Sequence, residues 1–307
     1  MTSESPLAWA VFGAVVLVML GLDLGVFHRK AHVIGAREAA VWSLVWISVA
    51  LLFNLGIYFQ AGGDRALEFF QAWLIEKALS VDNLFVFLVA FSYFAVPAHL
   101  QHRVLFWGII GALITRGLFI AIGAALLATF HWVIFIFGAF LIFTAVRLLR
   151  GGEEEPHPEK NPVLRLFRRF VRITPEYVGA NFFMRQNGVL YATPLLMVLV
   201  VIEATDVVFA VDSIPAVFGV TNDVFIVYTS NIFAVLGLRA LCFLVASVVA
   251  RLTYLRPALA LVLAFVGGKM LLSNKIHIPN WISLVVIGGL IGSAAVISLI
   301  ASRNEKT

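Results

Sequence analysis

Five acidic residues sit in surroundings too apolar to wet them: Glu76 and Asp82 in EKALSVDN, and Glu203, Asp206 and Asp212 in EATDVVFAVDS. A charged side chain at mid-bilayer costs about 2.5–3.5 kcal/mol on insertion scales, so these groups must face one another, water or a bound ion. Arg116 and Arg239 lie in equally apolar stretches, and Arg147 and Lys269 lie one stretch further on. Buried acid–base pairing is the structural alternative to a substrate site. Charge arithmetic weakens it, because five acids exceed even these four bases. Glu203 and Asp206, three residues apart, share a helix face. Asp206 and Asp212 stand about 9 Å apart along a helix axis and about 120° around it, so a regular helix would not let both grip one ion. Pro215 cannot donate to the carbonyl of Val211. This predicts a kink or break beside Asp212, like the discontinuous helices that expose carbonyl ligands in transporters.

Carboxylates with Asn83, Thr205 and Ser213 as additional oxygen ligands suit hard or borderline cations such as Mn²⁺, Mg²⁺ or Ca²⁺. Soft ligands are scarce. Cys242 is the only cysteine, which excludes an intramolecular disulfide, and the five methionines form no cluster. His28, His32, His99, His102, His131, His157 and His277 fall in loops or at helix ends, away from the acids. A Cu(I) site and a histidine-built zinc site are therefore disfavoured, and an anionic substrate would need an arginine free of acids. No G-x-S-x-G, H-E-x-x-H or P-loop occurs in the chain, so the expectation is a carrier with no cofactor rather than an enzyme.

The elements that position these residues must be membrane helices. Of 307 residues, 62% are apolar and 13% charged, and the mean hydropathy is +0.99. Soluble domains carry roughly 25% charged residues. Nine stretches approach the ~20 residues that span a bilayer: Leu7 to Phe27, Ala39 to Phe59, Phe69 to Val96, Val104 to Thr129, Trp132 to Leu149, Tyr191 to Val220, Phe225 to Val249, Pro257 to Ser273 and Trp281 to Ala301. The leader MTSESP lacks the basic region of a cleavable signal. Arg29, Lys30, Arg37, Arg103, Arg251, Arg256, Arg303 and Lys306 fall on alternate connections, while the others hold little beyond Arg65 and Lys275. This asymmetry places the N-terminus outside and the C-terminus in the cytoplasm. It also accounts for the net charge of +5 without a nucleic-acid partner. Asp23, at the inner end of the first span, reads as an interfacial residue, and Asn54 in the second as an interhelical hydrogen bond.

The only long connection, 151–188, opens with GGEEEPHPEKNP and continues as VLRLFRRFVRI. In the latter, Leu164, Phe167 and Val171 share a helical face opposite Arg165, Arg168, Arg169 and Arg172, the pattern of a basic amphipathic helix over 164–172 lying on anionic lipid. The order acid–acid, arginine, base occurs twice: Glu76/Asp82, Arg116, Arg147 and then Asp206/Asp212, Arg239, Lys269. The third and sixth spans run in opposite directions. The fold expected is thus all-α and polytopic, about nine transmembrane helices with a 3+3 inverted-topology repeat, 69–150 against 189–275.

EKALSVDNLFVF at 76–87 and EATDVVFAVDSIPAVF at 203–218 resemble the two signature segments of the TerC family, related to the LysE exporter superfamily. GLDLGVF at 21–27 and ALALVLAFVGGK at 258–269 extend the resemblance over nearly the whole chain. The resemblance implies a bacterial inner-membrane protein of a family named for tellurite resistance and implicated in manganese efflux. The family's intramembrane acids fall on Glu76, Asp82, Glu203, Asp206 and Asp212. A pocket of acids would repel the tellurite oxyanion, which makes that phenotype an indirect one. The expected function is export of a hard divalent cation, Mn²⁺ first, in exchange for protons. A membrane-assembly scaffold with structural ion pairs is the alternative.

Overall fold

The computed structural model describes residues 6–27, 36–130, 132–150, 166–167, 169, 171–186, 188–238, 240–242, 254–274 and 278–304, without the side chains of 22–27, 36, 81, 82, 85, 255, 256, 299 and 302–304. Its helices are α1 (Pro6–Phe27), α2 (Ala36–Ala61), α3 (Gly63–Tyr93), α4 (Ala98–Thr129), α5 (Val133–Arg150), α6 (Pro194–Phe218), α7 (Val224–Leu236), α8 (Leu255–Leu271) and α9 (Asn280–Asn304). Each overlaps one of the nine apolar stretches. Five are long and apolar enough to cross a bilayer, namely α2, α4, α5, α6 and the Asn280–Ser298 part of α9, and shorter apolar helices lie at Pro6–Gly21, Val224–Leu236 and Pro257–Leu271. The protein is therefore a multi-pass membrane protein.

α3 is the exception that explains the architecture. It has 31 residues but carries Asp64, Arg65, Glu68, Glu76, Lys77 and Asp82. Such a helix is stable at membrane depth only when protein surrounds it. It packs on α2, α6, α7 and α9, and its Phe69, Ala72, Ile75, Glu76, Ser80 and Leu84 are buried. The lipid-facing surface is supplied by its neighbours: Leu17, Leu52, Phe59, Ile114, Leu118, Phe143, Val208 and Val285 are exposed. α4 packs on α6 as α3 packs on α7, and α5 lies along α8 in the broadest contact of any pair.

α5 and α8 approach closely because both are notched. A Cβ on Gly138 would stand 3.0 Å from the carbonyl oxygen of Gly267, and one on Gly267 would stand 2.7 Å from that of Gly138. Small residues at a helix crossing let backbones meet, which is how helices associate where lipid removes the hydrophobic driving force.

Two expectations about regularity change. α6 runs unbroken through Pro215 to Phe218. Pro215 lies three residues from its end, so the lost donor affects only the closing turn. The interruption lies in α7 instead. After 13 residues this helix stops at Leu236, Gly237 is a turn, and helical conformation resumes at Leu238. The all-α expectation needs one amendment, a two-stranded antiparallel hairpin of β1 (Phe183–Gln186) and β2 (Val189–Ala192), with Met184 opposite Tyr191. Gly188 closes it at φ 78°, a conformation glycine adopts readily. The hairpin occupies residues that sequence assigned partly to a loop and partly to the start of the sixth span.

The chain before the hairpin is tied to the helix ends. The Tyr177 hydroxyl donates to the Phe94 carbonyl at 2.7 Å, and burial raises its phenol's pKa. Phe182 meets Trp107 edge-on and lies under Arg103. Within the basic 164–172 segment, Leu166, Phe167 and Arg169 are helical, while Leu164, Arg165, Arg168 and Phe170 lie outside the described residues. Phe167 packs against Ala90, Met197 and Val201.

Candidate functional site

Arg116 on α4 is the centre of the intramembrane charges, with 0% of its surface exposed. Its Nη2 donates to Asp206 Oδ1 at 2.9 Å and its Nε to Asp206 Oδ2 at 3.3 Å, a two-pronged bond that fits the planar guanidinium. Nη1 donates to Glu76 Oε1 and to Asn231 Oδ1 at 3.0 Å. Four helices therefore meet at one guanidinium: α3, α4, α6 and α7. Glu76 is 1% exposed and Asp206 3%, so neither is neutralised by solvent.

The two acids share one cation, and they leave oxygens over. Glu76 Oε2, Glu203 Oε1, Ser80 Oγ and Ser213 Oγ are buried without a hydrogen-bond partner, as is the amide nitrogen of Asn231. Glu203 is one turn before Asp206 on α6 and fits into a notch on α4. A Cβ on Gly111 would overlap its carboxylate, and one on Gly108 would lie 3.9 Å from Oε1. Gly111→Ala is therefore expected to displace the Glu203 carboxylate, the end of a flexible side chain, while changing stability by less than about 1 kcal/mol, since alanine favours the helix by about that much. Thermal unfolding in detergent, with Gly288→Ala at an open position as the control, measures it.

Asp212 points elsewhere. Its Oδ1 accepts from Thr144 Oγ1 of α5 at 3.2 Å, so Asp206 and Asp212 serve different neighbours, as their spacing on a regular helix requires. Thr205 spends its hydroxyl on the carbonyls of Val201 and Ile202. Asn83 is buried. Arg147 is exposed near the end of α5, and Lys269 lies near the end of α8. The side chains of Asp82 and Asp23, all of Arg239, and His28, His32, His131, His157 and His277 lie outside the described residues. Among the described residues, no three His, Cys, Asp or Glu side chains group closely enough to hold one metal ion. Glu76 and Asp206 are joined through Arg116.

The model of the integral membrane protein TerC family matches residues 61–306, which takes in α3, α4, α6 and α7 and every partner of Arg116. The chain belongs to the TerC family. It is 52% identical over 303 residues to an uncharacterised membrane protein, STKORF319, of Myxococcus xanthus, covering 99% of this chain and 95% of that one. It is 46% identical over 315 residues to a protein of Escherichia coli K12 named "Putative membrane-bound redox modulator Alx", covering 99% and 98%. A Rickettsia felis membrane protein is 42% identical over 280 residues, 91% and 93% of the two chains. No solved structure matches.

The TerC chain also holds polar residues that sequence reasoning passed over. Asn231 completes the Arg116 shell, and a lone asparagine within an apolar helix is the signal that could have found it. At the start of α3, Glu68 accepts from Thr221 at 2.7 Å, from Asn280 at 3.3 Å and from Arg65 at 3.2 Å. Arg65 also pairs with Asp223 at 3.0 Å, whose other oxygen caps α7 through the amides of Phe225 and Ile226. Arg65, Glu68, Thr221, Asp223, Asn280 and Lys269 line a cavity of about 610 Å³. Glu68 is two helical turns from Glu76 on α3, so this polar mouth and the Arg116 centre lie along one helix.

Proposed function

We propose that this TerC protein is a secondary transporter that exports a hard divalent cation, Mn²⁺ first, through the carboxylates around Arg116. The observation that carries the reading is the convergence of Glu76 and Asp206 on one wholly buried arginine, with Glu76 Oε2 and Glu203 Oε1 left without partners. Unpartnered carboxylate and hydroxyl oxygens are the donor set a hard cation prefers. Arg116 then serves as the counter-charge of the empty state: as a cation arrives, the guanidinium gives up part of its hold on the acids. A carboxylate that is protonated in the empty state would release its proton on loading, which couples export to proton entry.

The inverted repeat and nine spans belong to the same reading. Exchanging α3 with α6 and α4 with α7 turns the α4–α6 contact into the α7–α3 contact, and both are among the most extensive in the molecule. The acids equivalent in the two repeats, Glu76 and Asp206, meet at Arg116, as inverted repeats bring their sites together at the membrane midplane. We place the protein in the bacterial inner membrane with its N-terminus outside. A carrier of a redox-active cation is compatible with the name borne by the Escherichia coli relative.

The bidentate Arg116–Asp206 pair favours a second reading, a membrane-assembly protein whose charges are structural and whose basic 164–172 segment binds anionic lipid. Cell manganese separates the two. Cells lacking their own exporter would express wild type, Glu76→Gln or Asp206→Asn at matched membrane levels. Export predicts that wild type alone lowers cell manganese and restores growth in excess Mn²⁺. If no protein changes manganese, the assembly reading takes over. Equal lowering by all three leaves export standing without these carboxylates.

A further inference from the structure

Lys77 follows Glu76 on α3 but turns away from the Arg116 centre. Its Nζ donates to the carbonyl oxygen of Ala234 at 3.1 Å, in the last turn of α7. Among the described residues, no carboxylate pairs with it. A part-buried ammonium held by backbone alone needs an explanation, and three features of α7 supply it. First, α7 is interrupted at Gly237 after 13 residues, and helical conformation resumes at Leu238, so the carbonyls of its last turn do not continue into a regular helical ladder. Second, carbonyl oxygens at such an interruption carry partial negative charge, which a nearby cation satisfies. Third, Gly237 leaves room for one: a Cβ there would lie 2.6 Å from Lys77 Nζ and 3.3 Å from Trp46 Cβ of α2.

We infer that the carbonyl end of half-helix α7, between Ala234, Gly237 and Trp46, is a monovalent-cation site whose occupant is built in as the Lys77 ammonium. The partial charges there suit one positive charge without a carboxylate. A free Na⁺ or K⁺ would fill the same place, and the tethered ammonium makes it unnecessary. The wild-type protein then keeps its α3–α7 contact in any salt, and a chain without Lys77 acquires a need for a small cation. The inference goes beyond the export reading, and its readout is stability, so either can fail alone.

The test is thermal unfolding of purified full-length protein in detergent, in choline, sodium, potassium or n-propylammonium chloride at equal ionic strength. Propylammonium matches the part of the side chain from Cγ to Nζ that Lys77→Ala removes. Wild type is expected to unfold at one temperature in all four salts. Lys77→Ala should unfold about 2–5 °C lower in choline, as expected for loss of a charged hydrogen bond, and regain most of that in propylammonium or a small alkali cation. Gly237→Ala, whose methyl occupies the pocket, should fall similarly and regain nothing. Lys77→Ala matching wild type in choline, or a loss that no cation restores, overturns the inference. Stabilisation of wild type by the same cations overturns it too, since that places the site elsewhere. If Lys77→Ala does not accumulate, its membrane level with propylammonium in the growth medium replaces the unfolding measurement: recovery supports the site, and absence in every medium refutes it.

Discussion

Replacing Arg116 by methionine is expected to destabilise the protein by about 3–5 kcal/mol, the cost of removing one partner of a buried ion pair. Glu76 and Asp206 are each at most 3% exposed, so neither gains water when the guanidinium goes. Asn231 loses the donor to its Oδ1 as well. A change of this size is a large fraction of a typical folding free energy, so low membrane abundance is the expected result in cells. The informative comparison is the triple variant Glu76→Gln, Arg116→Met, Asp206→Asn, which removes the charges together. It should regain most of the stability, because unpaired buried charge is the larger penalty. If the charges serve cation export, the triple variant accumulates and exports nothing. If they are structural only, it accumulates and functions. Membrane abundance, unfolding in detergent and cell manganese, measured on the same three proteins, decide between these.

Gly267→Leu is expected to have the second largest effect. The Cβ alone would stand 2.7 Å from the Gly138 carbonyl oxygen and 3.0 Å from Leu141 Cβ. Backbone cannot rotate away as a side chain does, so α5 and α8 must separate along the broadest helix contact of the fold. A loss of at least about 3 kcal/mol is expected, at the upper end of overpacking effects. The control is the next residue. A Cβ on Gly268 meets nothing within 4 Å, and Gly268→Leu should be neutral or slightly stabilising, since leucine favours the helix over glycine by about 0.8 kcal/mol or more. Unfolding temperatures of the two variants in one detergent give the comparison. Equal losses would mean that the helix dislikes leucine there for reasons unrelated to the crossing.

Much of this arrangement is legible in the sequence where one physical term dominates. Hydrophobic length places the helices. The expense of mid-membrane charge singles out Glu76, Asp206 and Arg116, and helical phase separates Asp206 from Asp212. Legibility fails where a local signal competes with packing. Pro215 looks like the break, yet it falls in a closing turn of α6 that tolerates a missing donor. The break at Gly237 carries only a glycine, which membrane helices use often. Lys77 stands next to Glu76 in the chain, but consecutive side chains on a helix point about 100° apart, and one reaches α4 while the other reaches α7. The hairpin had a sequence signal in Asn187-Gly188 between apolar residues, masked by the apolar run that continues into α6.

The reach of Arg116 also bears on how the chain enters the membrane during synthesis. Its bond to Glu76 spans 40 residues and its bonds to Asp206 span 90. Arg116 and its first partner Glu76 are thus both translated before α6, although α3 and α4 pack on α6 and α7 far more than on each other. α6 has no such provision: it holds Glu203, Asp206 and Asp212 and not one lysine or arginine between Pro194 and Phe218. With each acid at mid-bilayer costing about 2.5–3.5 kcal/mol, α6 settles best against a guanidinium already in place. Of the three charges joined at the centre, the one on α6 is therefore the last to be made, and it meets a guanidinium whose other acid is already in the chain.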